Sequence, residues 1–420
     1  MQQLLSKLAP GRAKTINHHS WLFAIGLLLL VLYTLLKGLH PPPIWGFVHF
    51  LLDYSHGFIR RGFLGEFVSC FFSDAARSYH VHFYTSMSVL LLNFVLLLYQ
   101  SIRVLPANRD TFLVTAIFIA NPALLYFIHF VGYGEFWGLL VTLSGLWFTR
   151  FWPRFVFFAC LMPVSILIHE INYVVFFPLQ FIALLLLAGS DKPRRLVALL
   201  AWSALMLLQF FIVGTQGLSE QQAVMLYKGL EQELGFPFDE NSVLFLADDL
   251  STSLASMYDY ITDEPALLGV FLAAFLLFLP SVWLCLEACY RHLEAGLDQQ
   301  ALLLPKKWLV RLCLLVPAAP LLLTFVAWDF VRWLALMVIS AYVIWLIVAA
   351  ALPLSKQTNE KAAPGRLAFM LSVLLFYLVI SPPILGPGSD GFTRFPFTGH
   401  ADYFSAWYTN RHQLEYGFWQ

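Results

Sequence analysis

Charge is scarce in this 420-residue chain: Asp, Glu, Lys and Arg make up only 12% of it, about half the share of an ordinary globular domain. That excludes a soluble enzyme of this length. Net charge is absent too, with 25 basic against 25 acidic residues, so there is no basic footprint for nucleic acid. Cysteine is sparse, and the five present include no CxxC pair, which argues against a disulfide scaffold or a zinc site. The stretch Lys37-Gly-Leu-His-Pro-Pro-Pro after the first apolar run is not an A-x-A-like cleavage site, so that run reads as a retained helix and not as a removed signal peptide. No internal repeat or low-complexity tract is evident. What abounds is apolar surface: 60% of residues are hydrophobic and 40 are Phe. Apolar runs long enough to span a bilayer recur along the chain, which predicts an all-α polytopic membrane protein, residues 1–420 forming a single integral membrane domain.

Spans are expected at 21–37, 84–102, 111–129, 134–150, 196–214, 266–288, 308–328, 331–352 and 367–386. The stretch 155–188 contains His169-Glu170, Pro163 and Pro178; it is either one broken helix or a tight hairpin of two short ones. Charge favours the hairpin. With the N-terminus in the cytoplasm, it puts 17 of the 25 Lys and Arg inside, including Lys306, Lys307 and Arg311, whereas a single crossing inverts every later loop against the positive-inside rule. The expectation is about eleven transmembrane helices. Outside lie a first long loop at 38–83 with an amphipathic segment, a large acidic loop at 215–265 with short amphipathic helices, and a C-terminal tail at 387–420.

The remaining charges gather at one membrane boundary. In the first loop, Leu52-Asp53-Tyr54-Ser55-His56-Gly57-Phe58-Ile59-Arg60-Arg61-Gly62-Phe63-Leu64-Gly65-Glu66-Phe67, read as a helix, places Asp53, His56 and Arg60 on one face. The adjacent guanidinium groups of Arg60 and Arg61 suit a phosphate, which they bind in a fork. The bland alternative is an Asp53–Arg60 ion pair that pins the loop. Tyr133-Gly134-Glu135-Phe136-Trp137 sets Glu135 in a one-turn connection, where it is either a site acid or a solvated carboxylate. His169-Glu170 falls at the hairpin tip between apolar neighbours; the second His of HExxH is missing, so no metalloprotease is indicated. Asp329 and Arg332, in Ala327-Trp328-Asp329-Phe330-Val331-Arg332-Trp333, either pair within a turn or belong to the same site. Under this topology all eight of Asp53, Arg60, Arg61, Glu135, His169, Glu170, Asp329 and Arg332 lie at the outside boundary, which independent structural ion pairs would have no reason to do.

Carboxylates among arginines at that depth suit a lipid-linked phosphate or pyrophosphate substrate. Arginine holds the phosphate and stabilises its charge as it departs, and a carboxylate acts as general base on an acceptor hydroxyl. Asp53 ranks first for that role, before Glu66, with Glu135 and Glu170 as rivals and His169 polarising Glu170. His56, Arg60, Arg61, Glu66, Asp329 and Arg332 form the substrate-binding set.

This layout of a first helix, a long first outside loop with an acidic residue, a short second one with another acid, and a long loop after the seventh helix resembles the GT-C class of membrane glycosyltransferases. The segments beginning Asp53-Tyr-Ser-His-Gly-Phe-Ile-Arg-Arg-Gly, Ile168-His-Glu and Trp328-Asp-Phe-Val-Arg-Trp are similar to bacterial surface-polysaccharide polymerases and related sugar transferases. The resemblance implies a polyprenyl-(di)phosphate-linked sugar or glycan donor, a glycan acceptor, and a site on the periplasmic face of a bacterial inner membrane. It implies work in O-antigen or capsule assembly alongside other polysaccharide-assembly membrane proteins. By position it assigns catalysis to Asp53, with Glu135 as the second-loop acid. Asp53 departs from the paired-acid pattern of that class because basic residues follow it closely; a divalent cation, Mg or Mn, is allowed and not required. The rival reading is a transporter or flippase of lipid-linked sugars or small solutes, whose charges would line a pathway through the bilayer.

Overall fold

The computed structural model describes residues 18–38, 42–55, 57–71, 79–189, 192–234, 238–263, 266–297, 303–327, 329–352 and 364–380. The tail at 387–420, the N-terminal basic residues and His56 lie outside them. Among the described residues every regular element is helical. In chain order these are α1 (His18–Gly38), α2 (Ile44–Leu51), α3 (Phe63–Phe71), α4 (Tyr79–Val104), α5 (Arg109–Ala120), α6 (Pro122–His129), α7 (Glu135–Gly145), α8 (Phe151–Ile168), α9 (Ile171–Val175) and α10 (Phe177–Leu185). There follow α11 (Lys192–Gly214), α12 (Glu220–Leu234), α13 (Asn241–Leu244), α14 (Leu250–Asp263), α15 (Ala266–Leu297), α16 (Lys306–Leu315), α17 (Phe330–Ala351) and α18 (Pro364–Val379).

Seven helices among the described residues are long and apolar enough to cross a membrane, or eight if the bent pair α5–α6 is one span. The chain is a polytopic helical membrane protein. The expected spans at 111–129, 134–150 and the second arm of 155–188 fall on bent or shorter elements; 308–328 matches one of the seven but changes helix type midway, and 367–386 is described only to residue 380. Pro122 lacks the N–H that would continue α5, and Asn121 caps the new start by accepting from the Ala123 backbone N–H at 2.7 Å, so α5 and α6 meet at 42°. Pro317 and Pro320 tighten the continuation of α16 into a 3₁₀ stretch over Val316–Phe325. The 155–188 segment does fold back at His169-Glu170: Arg154 at the start of α8 donates to the Ala183 carbonyl near the end of α10 at 3.3 Å, and Asn172 donates to the Ser165 carbonyl at 2.8 Å. The two arms therefore run antiparallel, with the break at one end.

The bundle is organised around α17, with 94% of the residues in its most apolar stretch buried against α4, α6, α10, α15 and the 3₁₀ stretch. Polar groups on this central helix are matched inside the core. The Tyr342 hydroxyl meets Ser101 at 2.7 Å and Thr115 at 3.4 Å while its ring stacks on Phe118 at 3.9 Å, as buried polar groups require. First and last helices are joined by a cation: the buried Lys37 ammonium donates to the carbonyls of Leu378 at 3.2 Å and Ile380 at 2.5 Å, satisfying carbonyls that the end of α18 leaves unpaired. Near the starts of α5 and α18, Asp110 and Glu287 are bridged by Arg291 and Arg366.

The two long connections build a second, smaller core. Phe47, Val48, Leu51, Leu52 and Ile59 of the first pack on Leu218, Ala223, Leu226, Leu230, Phe238, Val243 and Leu246 of the second. The amphipathic helix expected over 52–67 does not form. The backbone at 52–55 and 57–62 is turn and irregular structure between α2 and α3, because α2 stops at Leu52 in an extended conformation (φ −64°, ψ 127°) and Gly57 and Arg61 take positive φ of 101° and 64°. Gly65 then packs its Cα so closely on the Leu52 carbonyl that any β-carbon would collide. Asp53 and Arg60 consequently do not share a helical face; His56, expected on it, lies outside the described residues.

Candidate functional site

Four chain breaks meet at one end of the bundle: the turn 52–62, the connection between α6 and α7, the hairpin break at 169–170, and the step from the 3₁₀ stretch into α17. Each delivers charged side chains. At the hairpin tip Glu170 receives a fork from Arg61, with Nη2 to Oε1 at 2.6 Å and Nε to Oε1 and Oε2 at 3.2 and 3.1 Å. Arg61 is the only non-glycine residue with positive φ among the described residues. Its guanidinium lies 4.4 Å over the Phe245 ring, contributed by the second long connection, and also donates to His49 Nε2 at 3.4 Å. Strain of this kind persists only where the surroundings over-determine it, and it collects at functional sites.

Arg332 forms the second half. From the first turn of α17 its Nε reaches Glu135 Oε1 at 2.5 Å and its Nη1 reaches Asp329 Oδ2 at 3.2 Å, while the group lies 4.3 Å over the Tyr133 ring. Glu135 is wholly buried at the start of α7, where the helix dipole favours a carboxylate. Its Oε2, like Arg332 Nη2, has no hydrogen-bond partner among the described residues. Asp329 occupies the N-cap of α17 yet makes no cap bond; its carboxylate turns to Arg332 and accepts from the Tyr126 hydroxyl at 3.3 Å. The halves meet through His49 and His169. The His49 ring contacts Tyr133 at 5.9 Å and His169 at 6.5 Å, and a β-carbon at Gly134 would collide with that of His169. Asn172 closes the seam by donating to the Gly134 carbonyl at 3.1 Å.

The electrostatics divide the carboxylates. Burial alone would raise the Glu170 carboxyl, but the Arg61 guanidinium outweighs it and holds it well below the usual range. Asp329 is pushed up, by burial first, against the pull of Arg332. Burial and the Arg61 charge lower both His49 and His169 well below the ordinary imidazole value. His169 is thus neutral despite standing 3.5 Å from Glu170; its Nδ1 accepts from the Ile171 backbone N–H at 3.4 Å, which leaves the proton on Nε2.

Of the residues singled out from sequence, Arg61, Glu135, His169, Glu170, Asp329 and Arg332 come together here. Arg60 sits at the rim: Nη2 donates to the carbonyls of Phe245 and of Asp248, the latter at 2.9 Å, so it joins the two long connections. The Asp53 carboxylate accepts from the Ser55 backbone N–H at 3.0 Å and the Ser55 hydroxyl at 2.5 Å. Glu66 Oε2 accepts from the Tyr54 backbone N–H at 3.1 Å and closes the turn. His56 is outside the described residues. Sequence reasoning missed His49, Tyr126, Tyr133 as a partner of Arg332, Asn172 and Phe245. His49 carried one signal, an imidazole inside the apolar run Ile44-Trp-Gly-Phe-Val-His-Phe-Leu; Phe245 carried none, because only tertiary packing brings it here. Among the described residues no group of three or more His, Cys, Asp or Glu is placed to hold a metal ion.

No family model, curated protein or solved structure matches the chain.

Proposed function

We propose that the chain is a membrane glycosyltransferase that takes a sugar or glycan from a polyprenyl-(di)phosphate-linked donor in surface-polysaccharide assembly, O-antigen or capsule. The site faces the periplasm of a bacterial inner membrane. The observation that carries this reading is the single cluster in which the half-buried Arg61, Glu170 and Asp329 stand with the buried Glu135 and Arg332 where the helices end. Orientation follows from charge. Arg103, Arg109, Arg154 and Arg291 all lie toward the helix ends remote from this cluster, and basic ends belong in the cytoplasm. Taking α5–α6, α7, α8, α9–α10, α16 with its 3₁₀ stretch, and α18 as crossings gives eleven.

Arg61 and Arg332 hold the donor phosphate and stabilise its charge as the bond to the sugar breaks. The acceptor hydroxyl oxygen bonds to the anomeric carbon, the anomeric carbon–phosphate oxygen bond breaks, and the hydroxyl proton passes to a carboxylate. Asp329 suits that role better than Asp53. Its proton affinity is raised, where that of Glu170 is suppressed by Arg61, and a base works best when its pKa lies nearer the operating pH. The Asp53 carboxylate is engaged by Ser55 in its own turn.

Purified protein in lipid nanodiscs, incubated with a polyprenyl-diphosphate-linked glycan, tests the reading. Transfer should appear with the wild type and be lost with Asp329→Asn. Movement of intact lipid-linked glycan across proteoliposomes, with no glycosidic bond formed, would establish the transporter reading instead.

A further inference from the structure

Helix α14 carries an apolar face that the protein does not use. Leu250, Leu254, Met257, Tyr258 and Ile261 recur every three or four residues and span about 100° of a helix circumference. By the same count Asp259 and Asp263 fall on the opposite side. Met257 is buried at one edge of the stripe, but Leu254 and Tyr258 are 44% and 70% exposed. Among the described residues α14 makes no more than marginal contact with any other helix. A helix of 14 residues is near the limit of stability on its own in water, so an outside surface is needed to hold it.

Its place in the chain identifies that surface. Only Glu264 and Pro265 separate α14 from α15, which is long and apolar enough to cross a membrane, and three Cα steps reach about 11 Å at most. The end of α14 is therefore held at the level where α15 enters the bilayer. The residue before a proline is biased out of the helical region, so Pro265 favours a change of direction over one long helix. Leu268 and Leu272, close to that entry, are 55% and 56% exposed, as side chains facing lipid are. The apolar stripe of α14 continues this lipid-exposed surface across two residues. It does so beside the charged cluster, since Phe271 meets Phe330, the neighbour of Asp329, at 5.7 Å.

Charge narrows the kind of lipid. From residue 229 to residue 290 the chain has no Lys, Arg or His, so α14 lacks the cationic face with which interfacial helices attract anionic headgroups. Tyr258, an apolar ring with a polar tip, suits the boundary between headgroup and acyl chain. We propose that α14 docks on a zwitterionic lipid surface through Leu254 and Tyr258 and anchors the second long connection to the membrane. The anchor starts two residues after Asp248, whose carbonyl accepts from Arg60, and five after Phe245, whose ring covers Arg61. Docking thus fixes the segment that closes over the charged cluster.

The test uses the full chain in phosphatidylcholine nanodiscs, with the exposed Cys70 and Cys160 replaced by serine. A nitroxide is attached in turn to Thr252→Cys, Leu254→Cys, Tyr258→Cys and Asp259→Cys, all at exposed positions. Collision with oxygen, which concentrates in acyl chains, should exceed collision with a water-soluble nickel chelate roughly threefold at 254 and 258, and fall below it at 252 and 259. Preference for nickel at all four positions overturns the docking. Shielding of 254 and 258 from both reagents, the mark of cover by residues 387–420, a second copy or another protein, overturns it as well. Replacing part of the lipid by phosphatidylglycerol should leave the ratio unchanged or lower it; oxygen contact that appears only with the anionic lipid overturns the zwitterionic assignment. Hydrogen exchange gives a second measure. The amides of α14 should exchange about tenfold faster in Leu254→Asp/Tyr258→Asp, with those of α12 unaltered, and unchanged exchange in that folded variant removes the anchor. Neither readout needs sugar transfer, so failure here leaves the transferase reading untouched, and failure of transfer leaves the anchor.

Discussion

Arg61 and Glu170, 109 positions apart, close a forked ion pair between a strained turn and the break of a helical hairpin. The pair ties the turn to the hairpin break, beside the contact of the His49 and His169 rings. Because the Arg61 backbone is left-handed at φ 64°, the contact is made against a local conformational cost of roughly 1–2 kcal/mol for a residue bearing a β-carbon.

That cost separates two truncations. Arg61→Ala and Arg61→Gly both delete the guanidinium, but only glycine relieves the backbone. The Gly variant should unfold at the higher temperature, by the equivalent of about 1 kcal/mol, although both lose transfer activity. Arg61→Lys should also lose most activity, since an ammonium cannot reproduce the fork. Thermal unfolding in detergent ranks the first two; an Ala variant as stable as the Gly variant would mean that the turn does not constrain this residue.

Glu135 and Arg332 invite a double-mutant cycle. Glu135 is fully buried and Arg332 nearly so, and removing one partner of such a pair leaves an uncompensated charge, typically about 3–5 kcal/mol. Arg332→Met alone should therefore be strongly destabilised, whereas Arg332→Met combined with Glu135→Gln should recover a large part of the loss while staying inactive. If the double variant is no more stable than the worse single one, the pair is not coupled as the geometry requires.

The stability of the site should depend on pH in a direction set by its imidazoles. His49 and His169 are lowered in the folded protein, by burial first and then by the Arg61 and Arg332 charges, against the opposing pull of Glu170. Unfolded, each takes a proton near pH 6.5. Their contribution is therefore complete above that pH and is lost as pH falls below it, because the unfolded chain gains protons that the folded one refuses. Glu170, also lowered, adds a loss of the same sign in the carboxylate range, where Asp329, raised, works the other way. Melting temperature should be nearly level from pH 8 to 7 and decline from 6.5 to 5, with a shallower decline in His49→Gln/His169→Gln. An unchanged slope in that variant would place the titration elsewhere.

The helical membrane architecture was legible because apolar runs of bilayer length have no alternative. The hairpin was legible from charge, and the break at His169-Glu170 is where two polar side chains interrupt an apolar stretch. The first long connection differs from its expected helix for a definite reason: Asp53, His56 and Arg60 fit helical spacing, but periodicity does not register that Gly65 lets backbone approach Leu52 or that Arg61 adopts a left-handed conformation. Lys37 closes the first expected span, and its long apolar stem lets the ammonium reach the end of α18, a contact that no spacing in the sequence signals. Among candidate residues, six converge as their chain positions suggested, whereas Phe245 enters only through the second core that joins the two long connections.

Orientation provides the last test. The proposal places the second long connection outside and the Lys306–Lys307 end inside, a division resting on 17 of 25 basic residues. Lys228 on α12 and Lys307 at the start of α16 are both exposed, so a cysteine at either position should be reachable by an aqueous reagent without disturbing the core. Cys70 and Cys160 are exposed as well, so both are first replaced by serine. In intact cells a membrane-impermeant maleimide should label Lys228→Cys and spare Lys307→Cys, and permeabilisation should expose the second. Labelling of Lys307→Cys alone would invert the molecule and turn the charged cluster toward the cytoplasm. Labelling of both from the same side would mean that α15, the one crossing between them, does not span the bilayer, which would dissolve the eleven-helix scheme.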